Sequence, residues 1–377
     1  VLGRFSRRRS AITFDLGAAG LRAHQFEQRR TGGGQIALCD TLQFERTIDQ
    51  APDQTGQPAP EPTVDPARLS RLIGQGRFIG REVALVLSPP EVQFFPLRLP
   101  PQALAQPPER VDQALRWEVA QESRDSADNL EVRHWQLPAN PRREANVMAV
   151  VISTEAALRW VDQFQQHGLI LRRIDVSPCA LVRIARQAWT PAQDDLWGVL
   201  DLGLRHTTLT VVLGTLPIYI RSLSVGAADW TAKLAQAFEV SYPAAEQIKR
   251  TYRLQPVERG HQPTTAGRSL LQAGDLEGAF SGVLRESLRT LGLEVGRCFS
   301  YVMHGFPDYT VKRLFLAGGG ARLGGLPGVL ESELGIPVFT LATGNGNLSW
   351  EYPLPNVNVD PLTAASLGAA LLDLEAA

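Results

Sequence analysis

The sequence predicts an α/β protein built from two similar halves facing each other across a cleft. Two observations predict the duplication. Asp15-Leu16-Gly17 follows a short β-like run, Ala11-Ile12-Thr13-Phe14, and precedes a second, alternating run at 21–26. Asp201-Leu202-Gly203 sits in the same setting, after Trp197-Gly198-Val199-Leu200 and before Thr208-Leu209-Thr210-Val211-Val212. The unit of strand, Asp-x-Gly turn and strand therefore occurs twice, about half a chain apart. A third turn, Gly318-Gly319-Gly320, predicts the cleft's contents. Glycine lets backbone N–H groups approach phosphate oxygens, and a carboxylate beside it reaches phosphate through a hydrated magnesium ion. One Asp-Leu-Gly also suits an ordinary hairpin. Two in matching settings, with a triple glycine downstream, point to phosphate.

Bulk properties bound the rest. At 377 residues the chain exceeds one ordinary core and calls for two lobes or more. Hydrophobic content of 44% with 20% charged residues is that of a folded protein, and a net charge of −1 argues against a general nucleic-acid binder. Lysine occurs only at Lys233, Lys249 and Lys312, so the basic residues are overwhelmingly arginine. Cys39, Cys179 and Cys298 lie far apart without metal-ligand spacing and read as reduced thiols. Arg4 and Arg7-Arg8-Arg9 begin like a leader, but Asp15 interrupts the apolar stretch, and no run approaches about 18 apolar residues.

The elements follow in order. Residues 10–45 read as short strands with a glycine turn at 32–34, and 49–66 as a polar loop. Strands are expected at 81–87 and 92–99, then a Pro100-Pro101 break and a helix over 108–121 carrying Val111, Leu115 and Val119. Strands at 130–137 and 146–152 precede an amphipathic helix over 154–167 closed by Gly168, and a helix over 175–188. After the second repeat come helices at 228–238 and 243–252, a polar loop at 255–268 and one long helix over 276–304. A strand at 314–316, a helix at 326–334 and a small-residue helix at 361–374 complete the chain.

This order of two Asp-x-Gly turns, a glycine triplet and a final small-residue helix resembles the actin-like ATPase superfamily, a two-lobed, duplicated ribonuclease H-like fold. Three segments resemble the PilM family of type IV pilus assembly, itself similar to FtsA: VMAVVISTEAALRWVDQFQQHGLILRRIDVSPCALVRIA, VGAADWTAKLAQAFEVSYPAAEQIKR and LFLAGGGARLGGLPGVLESELGIPV. The likeness runs from about residue 10 to 374. It implies a first lobe at 10–80 and 154–195 and a strand-helix-strand-strand insert at 81–153. The second lobe would span 196–377, with a helical subdomain at about 225–290.

The resemblance implies ATP with magnesium as ligand. The first phosphate loop would be Asp15, Gly17, Ala18, Ala19, Gly20 and Arg22. The family usually has Thr or Ser hydroxyls after the glycine, where Ala18 and Ala19 stand here. A hydrogen bond to a charged group is worth about 1.5–3 kcal/mol, so nucleotide binding is expected to be weak or lost. Arg22 stands where lysine is common, as a loop cation or an exposed strand residue. The second loop would be Asp201, Gly203, Thr207 and Thr208, with Asp15 and Asp201 holding magnesium through water. Arg205 and His206 are bulkier than expected there; His206 is a general base by residue type or plain surface. Glu246 and Lys249 share a helix face, as a ribose and base contact or a solvated ion pair. Gly318, Gly319, Gly320, Ala321 and Arg322 would form the adenine-side loop.

Trp117, in the insert, is either a groove wall or core. The family binds, between insert and first lobe, a cytoplasmic peptide of the membrane protein PilN. The implied function is thus a cytoplasmic scaffold, peripheral at the inner membrane and engaging pilus motor or platform proteins, at most a weak ATPase. With Glu375-Ala376-Ala377 directly after the last helix, an amphipathic membrane helix of the FtsA type is not expected, which favours the PilM resemblance. Two alternatives share the fold: the cytoplasmic module of a type II secretion platform, and a sugar or acid kinase, for which no catalytic carboxylate is placed.

Overall fold

The computed structural model describes residues 8–18, 20–28, 36–45, 78–123, 126–139, 145–255, 275–343, 348, 350 and 358–375. The expected turn at 32–34, the loop at 49–66, nearly all of the loop at 255–268 and Ala19 lie outside them.

The first lobe is built on one mixed sheet. Its strands begin with β1 (Arg8–Arg9), β2 (Ile12–Gly17), β3 (Gly20–Gln28) and β4 (Ile36–Glu45), where β3 runs antiparallel to the other three. Next comes β5 (Glu82–Leu87), parallel to β2. Residues Val83–Leu87 are all buried, the pattern of a strand covered on both faces. This corrects the expected insert at 81–153: its first strand belongs to the first lobe, between β2 and a later parallel strand.

The insert proper follows as β6 (Gln93–Leu97), α1 (Pro101–Leu104), α2 (Pro108–Ser123), β7 (Leu130–Gln136) and β8 (Val147–Ser153). It is an antiparallel sheet in the order β6-β8-β7. Val111, Leu115 and Val119, four apart on α2, pack with Val132, Val147, Ala149 and Val151. Strand-helix-strand-strand thus describes the insert with β6, not β5, as its first strand. Trp117 faces away from this core and is 60% exposed, so it is no core residue.

The chain returns to the first lobe through α3 (Thr154–Gln165), capped by the Ser153 hydroxyl on the Ala156 N–H and ending before Gly168 at φ +70°. Then β9 (Ile170–Val176) pairs parallel with β5, and α4 (Ser177–Ala188) crosses towards the second lobe.

The second lobe repeats the arrangement. Strands β10 (Leu196–Leu202), β11 (Thr207–Leu213) and β12 (Leu216–Leu223) form an antiparallel meander. Helices α5 (Ala227–Phe238), α6 (Tyr242–Thr251) and α7 (Leu276–Gly305) follow, then β13 (Val311–Ala317), α8 (Leu326–Leu334) and β14 (Val338–Thr340). Strands β13 and β14 join β10 in parallel. The orders β4-β3-β2-β5-β9 and β12-β11-β10-β13-β14 are the same topology twice. The predicted duplication is therefore present, and the fold is actin-like.

The last helix, α9 (Ala364–Glu375), packs on α4 between the two sheets. Their shared core takes Phe26 and Val86 from the first sheet and Trp197, Val199 and Phe315 from the second. Asp373 ties α9 to the first lobe by accepting from the Ala11 N–H at 2.8 Å and pairing with Arg173.

Candidate functional site

Each Asp-x-Gly turn sits at the carboxyl end of a strand that has a parallel neighbour, where open α/β sheets leave a crevice. The two ends face each other across a cleft of about 650 Å³, within the range of small-molecule pockets. Asp15, Gly17, Ala18 and Arg22 line it from the first lobe; Asp201, Gly203, His206 and Thr208 line it from the second. Gly318, Gly319, Gly320 and Arg322 form the far wall with Glu246 and Lys249. Most predicted site residues thus meet in one place, though 303 positions separate Asp15 from Gly318.

Local geometry explains the glycine triplet. Asp201 pairs with Ala317 across β10 and β13, and the chain then turns at Gly318 with φ +79°. A Cβ there would stand 2.5 Å from Asp201 Oδ1 and 2.6 Å from the Leu202 carbonyl oxygen. Gly320 similarly lies against Leu202, where a Cβ would come within 2.9 Å of its side chain. The triplet lets β13 end in contact with the carboxylate of the second turn.

The second turn is used differently from the expectation. The Gly203 N–H donates to the His206 carbonyl at 3.0 Å, closing its own turn, and so is not presented to a ligand. The Thr207 hydroxyl donates to the Val225 carbonyl at 2.7 Å, and Thr207 does not line the cleft. Thr208 does, because it pairs with Asp201 across β10 and β11 and shares its face. Gly20 and Ala321 are also outside the lining. Gly20 closes the β2–β3 hairpin opposite Gly17, and Ala321 is buried in the second-lobe core.

Arg22 is not an exposed strand residue. It is 96% buried by its 4% exposure, and its Nη1 lies 3.4 Å from Asp15 Oδ2. The same nitrogen covers Gly17, 3.0 Å from where a Cβ would stand, while its Nε has no protein partner. One cation thus serves two carboxylates, the buried Asp15 and the half-buried Asp201. Burial raises the Asp15 pKa against the pull of Arg22. Asp201 is pushed up to about 7, first by burial and then by the Asp15 charge, with Arg22 opposing. Beneath them His24 is driven down to about 3 by burial and the Arg22 charge, and stays neutral.

On the opposite wall Lys249 is buried, with Nζ 2.7 Å from Glu246 Oε2, 2.6 Å from the Thr231 hydroxyl and 3.0 Å from the Ala227 carbonyl. Burial lowers the Lys249 pKa despite Glu246. Burial would raise the Glu246 pKa, but Lys249, Thr231 and Arg250 outweigh it and lower the pKa overall. The pair belongs to a network of buried Lys249 and half-buried Glu246 on α6 with Ala227 and Thr231 of α5, rather than to a solvated surface bridge. Arg322 pairs with Asp360 at 3.0 Å at the cleft's edge.

Sequence reading missed the Ser88–Glu91 loop and Leu181, Pro361, Leu362 and Ala365 of the two crossing segments, all of which line the cleft. The Pro89-Pro90 break soon after the apolar run 83–87 was the available signal for the loop. Nothing local marks the others, which reach the cleft because α4 and α9 cross behind it. Among the described residues no three His, Cys, Asp or Glu side chains gather around a metal, so an ion held by Asp15 and Asp201 would keep most of its waters.

The family model for the type IV pilus assembly protein PilM matches residues 129–258. Among solved structures, a chain of the "PilM-PilN type IV pilus biogenesis complex" is 23% identical, covers 97% of this chain and 98% of its own, and superposes with a TM-score of 0.68. MreB5 of Spiroplasma citri bound to AMPPNP is 10% identical over 98% of this chain and 97% of its own, with a TM-score of 0.50. No curated protein matches the sequence. The chain has the actin-like fold along its length and carries the sequence signature of the PilM family across its middle third.

Proposed function

We propose that this chain is an actin-like nucleotide-binding scaffold of a type IV pilus assembly platform. The observation that carries the reading is the pairing of a PilM family match with a duplicated fold whose phosphate-type turns meet in one cleft. ATP is the proposed ligand, with its phosphates at Arg22, Ala18 and Thr208 and its ribose and base towards Glu246, Lys249 and the glycine triplet. The donor set fits such a ligand: the Arg22 side chain, whose buried Nε has no protein partner, lines the same cleft as the glycine triplet. Magnesium fits Asp15 and Asp201, whose mutual repulsion a divalent cation would relieve. When bound, the ion would neutralise phosphate charge beside these carboxylates.

Binding is proposed to be weak, because no hydroxyl follows Gly17. Titrating labelled ATP into the protein with magnesium tests this. Affinity in the low micromolar range or weaker, improved several-fold by Ala18→Ser, supports the reading. Submicromolar binding by the unaltered chain would show that backbone and Arg22 suffice. Loss of magnesium dependence in Asp201→Ala would support the assigned metal position.

The proposed partner is an extended cytoplasmic peptide of a PilN-like inner-membrane protein, seated between the insert and the first lobe, with motor and platform proteins recruited beyond it. This would make the protein peripheral at the inner membrane. Among the described residues, no helix is long and apolar enough to cross a membrane. A scaffold needs its lobes held together and does not need turnover, which suits a phosphate loop without hydroxyls. Because β5 belongs to the first-lobe sheet, the test is deletion of residues 93–152 rather than 81–153. Peptide retained by a folded deletion variant would move the partner site elsewhere.

A further inference from the structure

Among the described residues, the β7 end of the insert reaches the second lobe through Trp135 and Leu137. The Trp135 indole N–H, on β7, donates to the Pro217 carbonyl on β12 at 2.8 Å. The Trp135 ring also meets Phe94 edge-on, with centroids 6.4 Å apart, and Phe94 packs against the first-lobe core. Two residues on, Leu137 packs against the second-lobe core. Trp135 and Leu137 therefore join the lobes beside the α4 crossing, which itself packs on β11 and β12. Val212, the cross-strand partner of Pro217, sits in the core that α4 and α9 share.

Pro217 lies near the closed end of the β11–β12 hairpin, whose open end is at the cleft. Thr208 lines the cleft, Thr207 is tied to the Val225 carbonyl, and the turn preceding β11 contains Gly203 and His206. At the closed end the Trp197 indole N–H donates to the Gly214 carbonyl at 2.8 Å, fixing the tip to β10. Between the ends β11 spans seven residues, about 20 Å of strand. It is paired on both sides, by β10 and β12, and residues 207–212 are buried, so it transmits displacement rather than bending.

We infer that Trp135 and Leu137 latch the insert to the β11–β12 hairpin, and that the hairpin couples the insert's position to the second-lobe wall of the cleft. Opening the cleft about α4 and α9 would move Pro217 relative to Trp135, so the latch favours one interlobe angle. By linkage, whatever moves the insert changes the affinity of the cleft for its ligand, and cleft occupancy changes the insert by the same factor.

Backbone hydrogen exchange on the full chain tests the latch without any ligand. Trp135→Phe keeps the ring against Phe94 and removes the donor to Pro217. Exchange at 203–208 is expected to quicken together with 213–217, by about three- to ten-fold for the loss of one hydrogen bond. Leu137→Val, a milder change to the same junction, should move the same two segments less. Acceleration confined to 213–217 would overturn the coupling, and no change in either segment would overturn the latch. A second arm adds ATP and magnesium to the unaltered protein. Protection at 203–208 accompanied by protection at 130–137, with the latter lost in Trp135→Phe, supports linkage. Cleft protection with 130–137 unaffected refutes it. Absence of cleft protection counts against nucleotide as the ligand, while the ligand-free comparison still decides the latch.

Discussion

Gly368 of α9 lies directly on the backbone of Ala180 in α4, so that a methyl group at Gly368 would overlap the Ala180 carbonyl. Arg183 fastens the same crossing by donating to the Gly368 carbonyl at 2.7 Å while holding Asp175 at 3.1 Å. The two lobes share a core at this contact, so its closeness sets how they are joined.

Gly368→Ala is therefore expected to destabilise the protein, by about 1–3 kcal/mol as overpacking does, with a matching fall in denaturation midpoint. Gly282, on α7, is the control: nothing lies within 4 Å of a Cβ built there. Gly282→Ala should stabilise by up to about 1 kcal/mol through helix propensity. Equal effects from the two would remove the role assigned to the crossing.

Asp201 gives the fold a pH dependence whose sign is fixed. Its carboxyl is raised to about 7 in the folded chain from an ordinary value of 3.8, so the folded state holds its proton longer than the unfolded state. Its contribution to stability is fully present below about pH 4 and is lost as pH rises through 7. Asp201→Asn should flatten that part of the stability profile and stabilise the ligand-free protein at pH 8, by at least about 1 kcal/mol. Denaturant unfolding of both proteins between pH 5 and 8 measures it. A variant less stable at pH 8 would contradict the assignment.

Arg22 is the cation that Asp15 and Asp201 share. Arg22→Met keeps much of the volume and leaves Asp15 and Asp201 facing each other uncompensated. The variant should be less stable at pH 8 than at pH 5 by a wider margin than the parent, because protonation relieves the repulsion at the lower pH. Nucleotide affinity should fall about tenfold or more, the scale of a lost charge-assisted hydrogen bond. Unchanged affinity would remove Arg22 from the phosphate site.

The adjacent threonines separate binding from folding. Thr208→Val should weaken nucleotide binding with little loss of stability, since Thr208 faces the cleft. Thr207→Val should leave affinity alone and cost about 1–3 kcal/mol of stability, because it strips the Val225 carbonyl of its donor. Calorimetric binding together with thermal unfolding reads both, and the reverse pattern would mean that the strand presents its other face.

Much of this was legible in the chain. The helix at 326–334 ends where its residue pattern ends, and the long helix at 276–305 differs from the expectation by one residue. Both carry local signals, repeated apolar spacing in one and flanking glycines in the other. The burial of Arg22 was not legible, because alternation says only that residues 22 and 24 share a face. The cover on that face, α9, comes from the other end of the chain. Trp117 misleads for the same reason, since a large apolar side chain carries no mark of which face its helix turns outward.

The sequence by itself determined the duplication, the order of the elements and the three turns, since these rest on local spacing and on where glycine and aspartate punctuate strands. Tertiary structure decided which sheet β5 joins, which threonine faces the cleft, and whether the Gly203 N–H is presented or used within its own turn. It also decided that Asp15, Arg22 and Asp201 share one charge balance. Such properties arise when distant segments exclude water from the same volume, and burial and opposing charge are then set by neighbours that no local pattern contains.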